Sequence, residues 1–273
     1  MKTYAKLTAA AAAVAMLTSG AALAGISTTK HNMAANNGQA TYVTAGTTEI
    51  CVFCHTPHGS DTSAPVPLWN KRLPTGGSYA TYASLGTTTL DASSAQIGSV
   101  SLACLSCHDG TQAMDNIINA PGSGGYASDG SGANGRNFTW TSNDAIGGGT
   151  VASPAGTPIP NLGTDLTNDH PVSIQYAGGG TQNGAAVDTD FNAAVSSGTQ
   201  YWINVTGGTA SREKSDMILY NRTDATAWTG ATTLSGTRQY VECATCHDPH
   251  STNTTFLRTD NAGSTVCLAC HNK

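Results

Sequence analysis

Charge is scarce in this chain of 273 residues: only 11 % are Asp, Glu, Lys or Arg, and 12 Lys and Arg face 17 Asp and Glu. Nothing resembles the basic patch that a nucleic acid requires, so nucleic-acid binding is disfavoured. Long apolar runs are also missing. Beyond residue 24 no stretch is apolar and long enough to span a bilayer, so no membrane span is expected. Methionine is sparse, with only Met33, Met114 and Met217 beyond that point. Cysteine is absent outside four short segments. No Cys lies near residue 24, which excludes a lipid-modified cysteine anchor there. In place of charge the chain carries 31 Gly, 10 Pro and long runs of Ser, Thr and Asn, a composition that on its own suggests partial disorder.

What is there is a pattern that uses all eight cysteines. Cys51-Val-Phe-Cys54-His55, Cys104-Leu-Ser-Cys107-His108, Cys243-Ala-Thr-Cys246-His247 and Cys267-Leu-Ala-Cys270-His271 are four copies of Cys-x-x-Cys-His. Each has the spacing of c-type haem attachment, in which two thiols form thioethers to one porphyrin and the adjoining imidazole binds its iron. Paired Cys-x-x-Cys can also build tetrahedral zinc sites, and a single copy can be a thiol redox motif. Zinc does not require a His after each second Cys, and a redox motif would not recur four times without a thioredoxin-like βαβ pattern. Disulfides in an exported chain would pair without regard to the following His. The expected cofactors are therefore four covalently bound haem c groups, with His55, His108, His247 and His271 as proximal iron ligands.

Eight histidines are present, which leaves His31, His58, His170 and His250, one for each haem. The second axial ligand decides whether a haem conducts electrons or binds something else. Methionine is too scarce to fill that role four times, so these four histidines are the expected distal ligands.

The motifs fall into two kinds. One reads Cys-x-x-Cys-His-x-Pro-His, ending at His58 and His250; the other reads Cys-Leu-x-Cys-His, ending at His108 and His271. They alternate, and a lone histidine, His31 or His170, precedes each copy of the first kind. The chain thus reads as two diheme modules. His58 and His250 lie three residues past a proximal ligand, and three residues span at most roughly 10 Å. That is too short to round a porphyrin edge, so each must bind a different haem. Proximity in sequence assigns His58 to the haem of His108 and His250 to that of His271, leaving His31 for His55 and His170 for His247.

Residues 1–24 read as a secretory signal peptide: Lys2 and Lys6, an apolar run from Ala9 to Leu17, and Ala22-Leu23-Ala24 before Gly25. Its removal leaves 10 basic residues against 17 acidic ones, a charge near −7. The expected organisation is a first diheme module over 25–120, a Gly/Ser/Asn-rich loop region over 121–165 and a second module over 166–273. Strand-like runs appear at Tyr201–Val205 and Asp216–Tyr220. Asp188–Val195 and the turns around each Cys-x-x-Cys-His are the helix candidates. Tyr126, Phe138 and Trp140 are the aromatic anchors of the loop region. The fold class is an irregular, coil-rich arrangement with short helices and few short strands, organised around four stacked c-type haems. Each porphyrin is a rigid apolar body that replaces much of a side-chain core.

Six-coordinate irons pass single electrons with little structural change, so such a chain is expected to conduct electrons and not to be an enzyme. Lys30-His31-Asn32-Met33, the Cys-x-x-Cys-His-x-Pro-His segments and Asn168-Asp169-His170-Pro171-Val172 resemble elements of doubled Cys-x-x-Cys-His multihaem cytochromes. With its export signal and Gly/Thr-rich loops the chain is most similar to OmcE-like extracellular tetrahaem c-type cytochromes, over about 45 residues around the ligands. The resemblance implies a homopolymeric filament, or nanowire, at the cell surface, with every haem bis-His and one axial His donated by a neighbouring subunit. His31 and His170 are the candidates for that donation, His31 the better placed on a short N-terminal arm. Other redox proteins and extracellular acceptors such as metal oxides are the implied partners. A monomeric periplasmic shuttle would carry the same motifs and export signal. An oxyanion reductase would need a haem with an open face, against which the full complement of spare histidines argues.

Overall fold

A computed structural model describes residues 25–34, 44–45, 48–74, 79–86, 92, 94–111, 117–119, 139–140, 161–170, 172–182, 184–205, 207, 211–222 and 238–272. The expected signal peptide, Tyr126 and Phe138 lie outside them. The regular structure is short, as the abundance of turn-forming residues requires. Its largest element is an antiparallel sheet in the second half of the chain, built from β3 (Ile174–Gln175), β6 (Val195–Ser197), β7 (Gln200–Ile203), β8 (Met217–Arg222) and β9 (Arg238–Val241) in the order β3-β9-β8-β7-β6. Two small ladders stand apart: β1 (Thr44–Ala45) with β2 (Thr139–Trp140), and β4 (Thr181–Gln182) with β5 (Ala185–Ala186).

The sequence-based strands at Tyr201–Val205 and Asp216–Tyr220 correspond to β7 and β8, displaced by one or two residues. β6 turns into β7 through a two-residue hairpin, and Gly198 takes φ 59°, the left-handed conformation such turns require. Tyr201, Trp202 and Ile203 then face Leu219, Ile218 and Met217 across the ladder. Ile203, Met217 and Leu219 join Ile174, Tyr176, Ala177, Val241 and Ala269 in the main apolar cluster. Smaller clusters gather Met33, Val52, Phe53 and Ile117, then Ala64, Trp69 and Ala103, then Ile97, Leu105 and Leu166. The apolar core is thus divided among several small patches beside the cysteine motifs.

No helix forms over Asp188–Val195. The Asp188 carboxylate accepts the Asp190 backbone N–H at 2.9 Å, a local bond that competes with helical pairing. Phe191 instead bridges to His271, Ala194 N–H donates to the Thr181 hydroxyl, and the chain enters β6 at Val195. The loop that results clamps the C-terminal helix. Tyr176 Oη donates to the Asn192 carbonyl at 2.6 Å, and the Asn192 amide donates to the carbonyls of Leu268 and Ala269 at 3.0 and 2.9 Å. Asn192→Ala removes the last two bonds and is expected to lower stability by about 1–2 kcal/mol, read as a drop in thermal midpoint with faster amide exchange over 265–270.

The stretches 25–120 and 166–273 are interleaved. Ser94 bridges Ile174, and the N-terminal 3-10 turn Gly25–Thr28 approaches Thr252.

Candidate haem-attachment sites

Each Cys-x-x-Cys-His forms one helical turn, as expected from the sequence. The first is a 3-10 turn, Cys51–Phe53. The others lie in α1 (Ser99–His108), α2 (Cys243–Cys246) and α3 (Thr265–Cys270). The histidine N–H donates to the first cysteine carbonyl at 2.8 Å in His55, 3.1 Å in His247 and 2.9 Å in His271. Residues at i, i+3 and i+4 are neighbours on one helical face, so a single turn turns both thiols and the imidazole toward the same side. That is what a porphyrin attached by two thioethers and bound at its iron needs.

Several of the thiols are deeply buried. All eight cysteines are free of disulfides. Burial pushes the Cys54 and Cys270 thiols up to about 12 and Cys246 up to about 11. Thiols held protonated in this way are poor thiolate ligands and poor redox nucleophiles; Cys243 departs from them, lowered first by its hydrogen bond with Cys104. Among the described residues no three His, Cys, Asp or Glu side chains converge on one metal-sized site.

The histidines are oriented by their backs. His55 Nδ1 lies 2.7 Å from the Pro67 carbonyl and His247 Nδ1 lies 2.8 Å from the Thr255 carbonyl. A carbonyl only accepts, so Nδ1 carries the proton and Nε2 keeps its lone pair, the arrangement that outer partners impose on metal-binding histidines. His250 Nδ1 donates to Asp248 Oδ1 at 3.1 Å; that bond is the first of the causes that hold the Asp248 carboxyl down at about 2. His31 is lowered to about 4, mainly by burial and next by the nearby His108, so at neutral pH it is the neutral, ligating form.

Two pairs of the described rings lie close together in space. His31 lies beside His108, with ring centroids 6.1 Å apart, and stacks on Phe256 at 4.0 Å. His250 lies opposite His55 at 6.2 Å. The physical reason is tertiary: α1 and α2 pack on each other, which carries the second half of the chain over the first. His58 and His170 are exposed, His58 in the turn after the first motif and His170 in the loop ahead of β3.

Sequence reasoning missed the groups that join the motifs. Glu242, immediately before Cys243, is fully buried: Oε2 accepts from the Ser101 hydroxyl at 2.5 Å and the Ser173 hydroxyl at 3.0 Å, and Oε1 pairs with Arg222 Nη1 at 3.1 Å. Ser101 Oγ also accepts the Cys243 N–H at 3.0 Å, and the Cys104 and Cys243 sulfurs hydrogen-bond to each other. The Ser101 bonds to Glu242 and to the Cys243 N–H hold the second and third Cys-x-x-Cys-His segments side by side. No local signal marks these partners, although Asp248-Pro249-His250 does place a carboxylate within reach of the His250 imidazole.

The donor set fits a haem. Trp69 Nε1 is buried with no hydrogen-bond partner among the described residues, and its ring stands edge-on to His55 at 6.3 Å and packs near Cys54. A buried N–H without an acceptor is costly, and a haem propionate or its bound water would supply one.

Among the described residues no helix is long and apolar enough to cross a membrane. A family profile described as a doubled CXXCH motif matches residues 237–273, which contain the third and fourth motifs. No curated protein matches the chain. The doubled motif indicates covalently bound c-type haem and, with it, the electron-transfer role of a multihaem c-type cytochrome.

Proposed function

We propose that this protein is an exported tetrahaem c-type cytochrome that carries electrons outside the cytoplasm along four stacked bis-His haems and polymerises into a conductive filament. The observation that carries the reading is numerical. Four attachment motifs are matched by four further histidines, so every iron has two nitrogen ligands and none offers an open face to a substrate. Cys51, Cys54, Cys104, Cys107, Cys243, Cys246, Cys267 and Cys270 hold the porphyrins, and the eight histidines hold the irons. Bound haem supplies reversible one-electron chemistry. The protein's part is to fix the imidazole tautomers through Pro67, Thr255 and Asp248 and to keep the motifs adjacent through Ser101 and Glu242.

Low surface charge suits packing against further copies of the same chain. Of the two histidines expected to be donated between subunits, His170 is the better candidate, because His31 lies against Phe256 and His108 of its own chain. The same position of His31 favours a second reading, a monomeric shuttle with every ligand supplied from within.

Two measurements test the proposal. Intact mass of the secreted protein under denaturing conditions is expected to exceed the polypeptide by four haems; any smaller number removes the tetrahaem reading. Cryo-electron microscopy of the same material is expected to show filaments with His170 crossing to the next subunit. Isolated particles with all eight ligands in cis would make the protein a shuttle.

A further inference from the structure

Two pairs of imidazoles, one within the first half of the chain and one joining the two halves, face each other at a separation that ordinary ring contact does not require. His55 and His250 have centroids 6.2 Å apart with planes inclined by 12°, and His31 and His108 have centroids 6.1 Å apart with planes inclined by 67°. Rings in direct contact come closer, as His31 does on Phe256 at 4.0 Å. A metal between two imidazoles, at the roughly 2 Å that such nitrogen–metal bonds span, sets the ring centroids roughly 6 Å apart. Both observed separations match it.

The hydrogen bonds agree independently. His55 Nδ1 is held by the Pro67 carbonyl at 2.7 Å and His250 Nδ1 by Asp248 Oδ1 at 3.1 Å, so both rings of the first pair keep Nε2 for a metal. In the second pair His31 Nδ1 is turned to the Pro249 carbonyl at 3.4 Å. Aromatic packing alone would account for the ring distances but would not require outward-facing acceptors on both members of a pair.

We infer that His250 is the second axial ligand of the haem attached at Cys51 and Cys54, and that His31 is that of the haem attached at Cys104 and Cys107. The inference rests on the c-type haem reading and replaces the sequence-proximity pairing. The two halves exchange ligands, and neither is a self-contained diheme unit. His58 and His170 are left for the haems of His247 and His271. A Pro-His step one residue after a Cys-x-x-Cys-His then acts as a bridge: one short segment holds its own iron through His247 and a distant one through His250.

The test uses haem-loaded protein and reads the spin state by resonance Raman and electron paramagnetic resonance. His250→Ala is expected to convert one haem per chain from low to high spin, and added imidazole is expected to reverse the change. In a background carrying Cys51→Ser and Cys54→Ser, which lacks that haem, His250→Ala is expected to produce no further high-spin signal. If the signal persists there and disappears only with Cys267→Ser and Cys270→Ser, His250 serves the haem of His271 and the inference is overturned. His31→Ala is expected to behave in the same way against Cys104→Ser and Cys107→Ser. Should His250→Ala fail to fold, His250→Met retains a ligand and is expected to raise the potential of one haem, a shift absent from the Cys51→Ser, Cys54→Ser background. An intact chain without haem would sink the functional reading and the pairing together. A loaded chain whose high-spin signal follows another motif would sink the pairing alone.

Discussion

Replacing Cys243 and Cys246 together by serine is expected to remove one covalently attached haem per chain and to lower the thermal midpoint well beyond what the same change does at Cys267 and Cys270. Serine is close in size to cysteine, so the direct side-chain effect is small and the loss is that of the porphyrin. The difference between motifs comes from their surroundings. α2 is central: Ala244 and Thr245 are buried, Cys243 N–H is bound by Ser101 of α1, and Arg258 donates to the carbonyls of Ala244 and Cys246. α3 is peripheral, with Cys267, Leu268 and His271 exposed. α2 packs directly on α1 and β8, and losing an attached apolar group costs more beside surroundings that cannot collapse. Intact mass under denaturing conditions counts the haems, because thioethers survive unfolding, and calorimetry gives the midpoints. Unchanged mass would remove the thioether assignment at this motif. Equal midpoint shifts would remove the central role of α2.

Arg222→Ala is expected to destabilise the folded protein by roughly 3–5 kcal/mol, because it strips the cation from a buried carboxylate. Arg222 pairs with Glu242, donates to the Gln96 carbonyl at 2.8 Å and lies over the Tyr240 ring at 5.4 Å. Even with that cation and two hydroxyl donors, burial prevails and lifts Glu242 from 4.5 to about 7. The folded state therefore holds the proton more tightly than the unfolded one. Glu242's contribution to stability is complete below about pH 4.5 and is lost as pH rises through about 7. The cost of Arg222→Ala should accordingly be greater at about pH 8.5, where the orphaned carboxylate is charged, than at about pH 5, where it can protonate. Glu242→Gln should flatten the pH dependence and recover much of the loss in the Arg222→Ala background. Denaturant midpoints at the two pH values decide it. A loss independent of pH would mean that Arg222 acts through packing on Tyr240 rather than through Glu242.

The parts of this molecule that were legible in sequence are the ones set by local geometry. Cys-x-x-Cys-His fixes a helical turn because i, i+3 and i+4 share a face, whatever surrounds it, and all four motifs fold that way. β7 and β8 were legible because Tyr201-Trp202-Ile203 and Met217-Ile218-Leu219 are dense in residues that favour pleated, half-buried surfaces. Asp188–Val195 is a helix candidate in sequence, yet the Asp188 side chain binds the Asp190 N–H and the backbone runs as a loop into β6. The ligand pairing was illegible for a different reason. Sequence proximity assigned His250 to His271, whereas the proposed pairing rests on the 6.2 Å approach of His250 to His55, a contact between distant parts of the chain. The packing of α1 on α2 depends on Ser101, Ser173, Arg222 and Glu242, four residues scattered over some 140 positions with no spacing rule to connect them.

The first described turn of the chain also sets a timetable. An added Cβ at Gly25 would meet Thr252 Cγ2 at 2.6 Å, and His31 is separated from its Pro249 acceptor by 218 residues. A chain that emerges from its N-terminus must hold this arm open until nearly all of the remainder has followed. Contacts between such distant positions form late, because the loop they close is entropically expensive and yields nothing until it is shut. The leading segment would therefore stay accessible while the chain emerges, and the motifs at Cys51 and Cys104 would be open to haem attachment before these distant contacts close.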